Sequence, residues 1–146
     1  MSKLADALRA ALNAARKAQQ KDRTLVLGTI LANVKNRELE LGRDPTDDEV
    51  VEVLRKGIKI RREAHEQYSA AQRTDLADVE LRQVKILEEF LPPAAQPEEI
   101  RAAARAAIEA GAKDVGKVMG VVMPRFKGRA EGKLINQIVR EELQAG

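Results

Sequence analysis

The sequence predicts an all-α protein, with an N-terminal four-helix domain over residues 1–92 followed by a small three-helix C-terminal domain over residues 93–146. Three observations predict it. Apolar residues recur at three- and four-residue spacing between successive turn signals, which is the helical period, and no segment alternates convincingly at period two. The composition is aliphatic, 44% hydrophobic with only 2% aromatic, and the Ala, Leu, Val and Ile that supply it suit close helix packing. Residues 92–97, PPAAQP, then break the pattern with three prolines in six residues and no charge, the composition of a domain boundary.

The elements follow in order. Leu4, Leu8 and Leu12, flanked by Ala11, Ala15 and Ala18, make a first amphipathic helix to about Gln20. Asp22 is expected to cap a second, which carries Leu27, Ile30, Leu31 and Val34 on one face and ends near Gly42. Thr46-Asp47-Asp48-Glu49 is a capping box: the Thr hydroxyl accepts from the Glu49 N–H and the Glu carboxylate returns to the Thr46 N–H. The helix it opens buries Val50, Val51, Leu54 and Ile58 and runs past Tyr68. A fourth helix starts near Asp75, carries Leu76, Val79, Ile86, Leu87 and Phe90, and stops by Leu91 because Pro92 and Pro93 follow. Pro97 suits the first position of a fifth, with Glu98 and Glu99 favourable to its dipole and Gly111 at its end. Two short helices, roughly 114–125 and 131–143, complete the chain and are joined by RFKGRA.

Composition also sets limits. A chain of 146 residues is one ordinary domain or two small ones. There is no cysteine, which removes disulfides, thiolate metal sites and cysteine nucleophiles together. No run of about 18 apolar residues exists, and Asp6 and Arg9 interrupt the N-terminal MSKLADALRAAL, unlike a secretory segment. The expectation is a cytoplasmic protein with no membrane partner. Charge is more informative in its distribution than in its total. Residues 1–92 hold 17 basic and 16 acidic residues, whereas the span from Lys113 to Lys133 holds six basic against two acidic, exceeding the +3 of the whole chain.

That span, centred on DVGKVMGVVMPRFKGRAEGKLINQIV, is where function is expected. Its glycines, Gly116, Gly120, Gly128 and Gly132, each cost about 1 kcal/mol relative to Ala inside a helix. They therefore mark close backbone approach or unusual dihedrals. Helix packing is the expected role of Gly116 and Gly120; the role of Gly128 and Gly132 stays open between packing and phosphate approach. Lys117, Arg125, Lys127, Arg129 and Lys133 are the candidate RNA-binding residues, with a solvated basic face as the alternative. The backbone of Arg129 to Glu131 is expected to present free N–H groups at the start of the last helix, where phosphate is attracted. Arg55, Lys59 and Arg62 form a second basic stripe.

The VMG of Val118 to Gly120, the KGRAEGK of Lys127 to Lys133 and the following Asn136 resemble the YqeY-like family, whose C-terminal unit is also the tail domain of the GatB subunit of tRNA-dependent amidotransferases. The family pattern has Asp where this chain has Glu131, a change that keeps the charge. NRELELGRDPTDDEVVEVL from Asn36 to Leu54 and ILEEFLP from Ile86 to Pro92 extend the resemblance over nearly the whole chain, with Phe90 where relatives often carry Tyr. The resemblance implies an all-helical fold, tRNA as partner met on its elbow side by the last three helices, and association with a tRNA synthetase or amidotransferase subunit. It also carries the family's association with glutamine-dependent carbon–nitrogen ligase activity.

The residues themselves supply little for catalysis. Gly111 to Val118 nearly matches GxxxxGK[ST], but Val118 has no hydroxyl for Mg²⁺ and the preceding segment is an Ala-rich helix where a strand is required. Amide transfer needs an activated nucleophile and an ATP site, yet the only serines are Ser2 and Ser69. His65 lies on a polar helix segment without a second ligand. The expectation is a chain without catalytic residues, metal or cofactor of its own, acting as a tRNA-binding accessory module or as a protein-interaction adaptor.

Overall fold

The structure, a computed structural model, describes residues 2–146. Among them are seven helices and no strand: α1 (Lys3–Lys17), α2 (Lys21–Leu41), α3 (Asp47–Ala70), α4 (Thr74–Glu88), α5 (Pro97–Glu109), α6 (Val115–Phe126) and α7 (Gly132–Ala145). The chain divides into two compact units, Met1–Leu91 and Pro92–Gly146.

In the first unit, α1 is capped by Ser2, whose hydroxyl accepts from the Ala5 N–H and donates to the Asp47 carboxylate, 3.0 and 2.5 Å respectively. One buried serine thereby ties the start of α1 to the start of α3. The capping box of α3 is formed as expected, with Glu49 N–H to Thr46 Oγ1 at 3.2 Å and Thr46 N–H to Glu49 Oε1 at 2.9 Å. Gly42 ends α2 in the left-handed conformation, φ 70°. The start of α2 differs from expectation. Its N-cap is Gln20 and makes no side-chain cap bond, while Asp22 lies in the first turn and accepts from Arg82 of α4 at 3.2 Å. The reason is the preceding turn. Gln19 adopts φ 56° and the Gln20 N–H returns to the Ala15 carbonyl, so α1 closes directly onto α2 and the new helix has begun at Lys21 before Asp22 is reached. Gln72, φ 59°, closes α3 onto α4 in the same way, with Arg73 N–H bonded to the Tyr68 carbonyl.

The core of this unit is aliphatic: Leu8, Leu27, Ile30, Val34, Leu54 and Leu87 are all sealed from solvent. At Gly57 a Cβ would fall 2.6 Å from Ile30 Cδ1, so α2 and α3 approach closely through the glycine. The missing side chain also lets Arg61 fold back. Its Nη1 donates to the Gly57 carbonyl at 3.0 Å and its Nε to the buried Gln83 at 2.9 Å. Burial lowers the pKa of this guanidinium. His65 donates from Nδ1 to the Ala77 carbonyl at 2.9 Å, joining α3 to α4; a carbonyl can only accept, which fixes the proton on Nδ1.

The second unit packs α5, α6 and α7 around Ile100, Ala104, Val118, Val122, Ile135 and Val139. Pro97 opens α5, and the Glu99 carboxylate accepts from the Gln96 N–H. Gly111 follows α5 with φ 115°, and Asp114 caps α6 through the Lys117 N–H at 2.8 Å. Pro124 sits in the last turn of α6, near enough to the end that the N–H it lacks does not stop the helix. The PPAAQP stretch, expected as a domain boundary, belongs to this unit and packs onto it. Ala95 is buried and its N–H donates to the Arg129 carbonyl at 2.8 Å. Arg129 Nε reaches the Pro93 carbonyl at 3.4 Å.

Candidate nucleic-acid interface

Helix α6 has two unlike sides. Val118, Val122 and Phe126 are buried, and the side turned away from them exposes Gly116, Lys117, Gly120, Val121, Pro124 and Arg125. Lys117, Val121 and Arg125 recur every fourth residue, so they form one stripe about 12 Å long. Lys117 is 74% exposed and only 3.9 Å from its nearest carboxylate oxygen, on Asp114. Arg125 and Lys133 have no carboxylate within 4 Å among the described residues.

The glycines do not serve as expected. No helix lies against Gly116 or Gly120: a Cβ on Gly120 would meet nothing within 4 Å, and one on Gly116 only the Asp114 carboxylate of its own cap, at 3.3 Å. Their effect is to flatten the exposed side of α6. Gly132 lies beside Met123, 3.5 Å from its proposed Cβ position to Met123 Cε, an ordinary packing contact between α6 and α7. Gly128 has φ 79°, a left-handed turn residue between the two helices.

The α6–α7 turn gathers Arg125, Lys127, Arg129 and Lys133, with Lys117 two turns away along α6. Arg125 and Arg129 both lie over the Phe126 ring, 5.7 and 5.8 Å from its centroid. Arg129 is further engaged by Glu99 at 3.1 Å and by the Pro93 carbonyl. The free N–H groups expected between Arg129 and Glu131 are not all present, because Arg129 and Ala130 both donate to the Phe126 carbonyl, at 2.9 and 3.1 Å. Glu131 precedes α7 as its N-cap with no side-chain cap bond.

Elsewhere in this unit, α5 and α7 are joined by ion pairs. Glu142, almost fully buried, accepts from Arg105 at 2.9 and 3.3 Å and lies 3.5 Å from Arg101, which also binds Glu141 at 2.8 Å. The Arg105 bond and charge hold the Glu142 carboxyl below the usual carboxylate range. Arg101 and Arg105 are thereby paired, whereas among the described residues Arg125 on α6 and Lys133 at the start of α7 are not. In the first unit, Arg62 of the second stripe pairs with Glu88 at 3.1 Å, while Lys59 is exposed. Sequence reasoning missed Glu99 and Phe126 as partners of Arg129. The Glu99 signal was read only as a helix-dipole residue, and no local pattern links it to a residue 30 positions away.

Fold and surface together define an all-helical, two-unit chain with an exposed basic stripe on α6 and the start of α7. The chain belongs to the YqeY-like family: the family model described as "Yqey-like protein" matches residues 5–143. An uncharacterized protein of Schizosaccharomyces pombe is 38% identical over 76 residues, 52% of this chain and 62% of that protein, so the match spans less than two thirds of the relative's length. A Pyrenophora tritici-repentis protein named "Altered inheritance of mitochondria protein 41, mitochondrial" is 27% identical over 144 residues, 94% of this chain and 80% of that relative. No helix among the described residues is long and apolar enough to cross a membrane.

Proposed function

We propose that this protein is a tRNA-binding accessory module of the cytoplasm, non-catalytic by itself, that presents the exposed side of α6 and the α6–α7 turn to RNA phosphates. The observation that carries this reading is the pairing on α6 of exposed cations with a flattened backbone. Lys117 and Arg125 flank Gly116 and Gly120, whose absent side chains let a phosphate–sugar backbone come close. Lys127 and Lys133 extend the basic surface around the turn. Arg129 has a different part in it: held by Glu99, Pro93 and Phe126, it positions the turn that carries the others. Only Phe90, Phe126 and Tyr68 are aromatic, and Phe126 is buried, so recognition of structured RNA by shape and phosphate fits better than base stacking. The likeness of the C-terminal unit to the GatB tail domain supports tRNA as the RNA, with a synthetase or amidotransferase subunit as the setting in which any family-type amide transfer would occur.

The test is fluorescence anisotropy with labelled tRNA at about 0.1 M salt, where exposed charges still act over about 10 Å. The Lys117→Ala/Arg125→Ala/Lys133→Ala variant is expected to bind many tRNAs more weakly and by a similar factor. Unchanged affinity in that variant removes this reading and leaves the adaptor role.

A further inference from the structure

The exposed side of α7 carries a cation whose partner is not an acid. Arg140 donates from Nε to Asn136 Oδ1 at 2.7 Å, one turn earlier on the same helix, and among the described residues no carboxylate lies within 4 Å of it. A guanidinium can only donate, so the amide turns its oxygen to Arg140 and keeps its NH2 for another acceptor. The contact fixes the direction of the side chain and leaves its charge unneutralised. The Nη1 and Nη2 groups, a fork that matches phosphate, make no hydrogen bond among the described residues.

At about 100° per residue, the buried side of α7, made by Ile135, Ile138, Val139 and Glu142, has two flanks. Glu141 marks one and accepts from Arg101 of α5 at 2.8 Å. Gly132 marks the other and lies against Met123 of α6, so Asn136, and beyond it Arg140 and Lys133, border α6. The same construction on α6 puts Gly116 and Gly120 beside Met123, between α7 and Lys117. The turn 127–131 joins the two helices and runs them antiparallel. Counting back from Gly132 and Met123 brings the Arg140–Asn136 pair level with Gly116 and Gly120, to within about one turn of helix. Space there is open, since a Cβ on Gly120 would meet nothing within 4 Å and one on Gly116 only the Asp114 cap. Lys117 and Arg140 therefore stand on either side of bare α6 backbone, and both are exposed.

We infer that Arg140 is a phosphate-binding residue aimed by Asn136, and that one phosphodiester strand of RNA lies along the glycine side of α6 between Lys117 and Arg140. The inference rests on the reading of α6 as an RNA surface and carries that surface onto α7. Arg140 makes the contact; Asn136 is a positioning residue. An acid at position 136 would hold the guanidinium equally well and cancel its charge. An amide directs the cation and leaves the charge for an anion, which an ion pair on a helix surface does not.

The experiment is a salt titration of labelled tRNA binding to the full-length protein, read by anisotropy, with helicity and thermal midpoint measured on each variant. Arg140→Gln is expected to lower the salt slope by about 0.7–0.9 and to weaken binding by about five- to eightfold at 0.1 M salt, the factor that such a slope supplies between 1 M and 0.1 M. Arg9→Gln removes the same formal charge from the exposed Arg9–Asp6 pair of the first unit and should change affinity by less than about twofold, since distant exposed charges are screened. Arg140→Lys should restore the slope. Asn136→Asp should bind as weakly as Arg140→Gln while its thermal midpoint holds or rises, because the new carboxylate pairs with Arg140 four residues on; a merely structural Asn136 would not separate the two readouts in this way. An Arg140→Gln affinity or slope equal to that of Arg9→Gln, or wild-type binding by Asn136→Asp, overturns the inference. If the Lys117→Ala/Arg125→Ala/Lys133→Ala variant binds weakly while Arg140→Gln binds as wild type, the surface on α6 stands and its extension onto α7 falls. A wild type without salt-dependent tRNA binding removes both.

Discussion

The Arg129 guanidinium lies 3.1 Å from the Glu99 carboxylate, and through that contact the α6–α7 turn holds the start of α5. The same side chain reaches the Pro93 carbonyl, and its own carbonyl accepts from Ala95. Both ionic partners are partly exposed, so the pair alone is worth about 0–1 kcal/mol. Its larger effect is to strap residues 93–96 to the second unit. Arg129→Ala is expected to speed chymotryptic cleavage after Phe90, just ahead of that strap, whereas the wild type should yield a stable fragment running from there to the C-terminus. Cleavage of the wild type only at its ends would show that the two units do not separate.

Glu99→Gln separates structure from binding. It removes the carboxylate and keeps the cation, so if Arg129 positions the turn through Glu99, both Glu99→Gln and Arg129→Ala should loosen the strap and weaken tRNA binding, whereas affinity kept in Glu99→Gln alone would show the Arg129 charge itself at work. Anisotropy and proteolysis on the two variants distinguish these effects. Equal loss of affinity in both would mean that Arg129 acts only by shaping the turn.

Gly57 and Gly120 should respond oppositely to alanine. At Gly120 nothing opposes the new methyl group, and helix propensity favours Ala by about 1 kcal/mol, so Gly120→Ala should be stabilised by about that amount. At Gly57 the methyl would stand 2.6 Å from the fully buried Ile30 Cδ1. Overpacking of this kind costs about 1–3 kcal/mol, which meets or exceeds the propensity gain. Urea unfolding midpoints report both. If the flat face of α6 admits RNA backbone, Gly120→Ala should also bind tRNA more weakly despite its greater stability.

Acid should destabilise the first unit through Glu49. The Arg43 hydrogen bond, followed by the Thr46 N–H, lowers its carboxyl from 4.5 to about 2. A carboxylate depressed in the folded state contributes stability that is complete above the unfolded value and is lost as pH falls towards the folded one. Asp47 adds in the same direction, held low by the Ser2 hydroxyl and then by the Leu4 N–H. Unfolding free energy should therefore fall between about pH 5 and pH 2. Arg43→Ala should flatten that fall by lowering stability at neutral pH more than at pH 2. A parallel downward shift at every pH would mean that the carboxylate is not the group concerned.

Salt should separate phosphate contact from other modes of RNA binding. With three to five phosphates neutralised and a slope of about 0.7–0.9 per contact, log affinity for tRNA should drop by roughly 2–4.5 units per tenfold rise in salt. The Lys117→Ala/Arg125→Ala/Lys133→Ala variant should lose about three contacts from that slope. Comparable replacement of Arg55 and Arg62 should leave it unchanged if the second stripe is a solvated face. A slope near zero in the wild type would contradict the phosphate reading.

The sequence by itself determined the helices whose ends are signalled within a few residues: the Thr46–Glu49 box, Gly42, Pro97 and Gly111 act over about one turn, readable without knowing what packs where. Apolar spacing likewise marked Leu8, Leu27, Leu54 and Ile30 for the core. The family was legible in KGRAEGK and the longer stretches that accompany it. Tertiary structure alone decided which of several equivalent residues meet partners far along the chain. It set Gly57 against Ile30, closed α1 onto α2 through Gln19 so that Asp22 went to Arg82 instead of capping, and drew Arg129 to Glu99. It also left Gly116 and Gly120 facing solvent where packing was expected. Local patterns record a residue's preferences for its neighbours in sequence, whereas exposure and long-range pairing depend on how whole helices pack, and a glycine in a close contact has the same local signature as one on an open face.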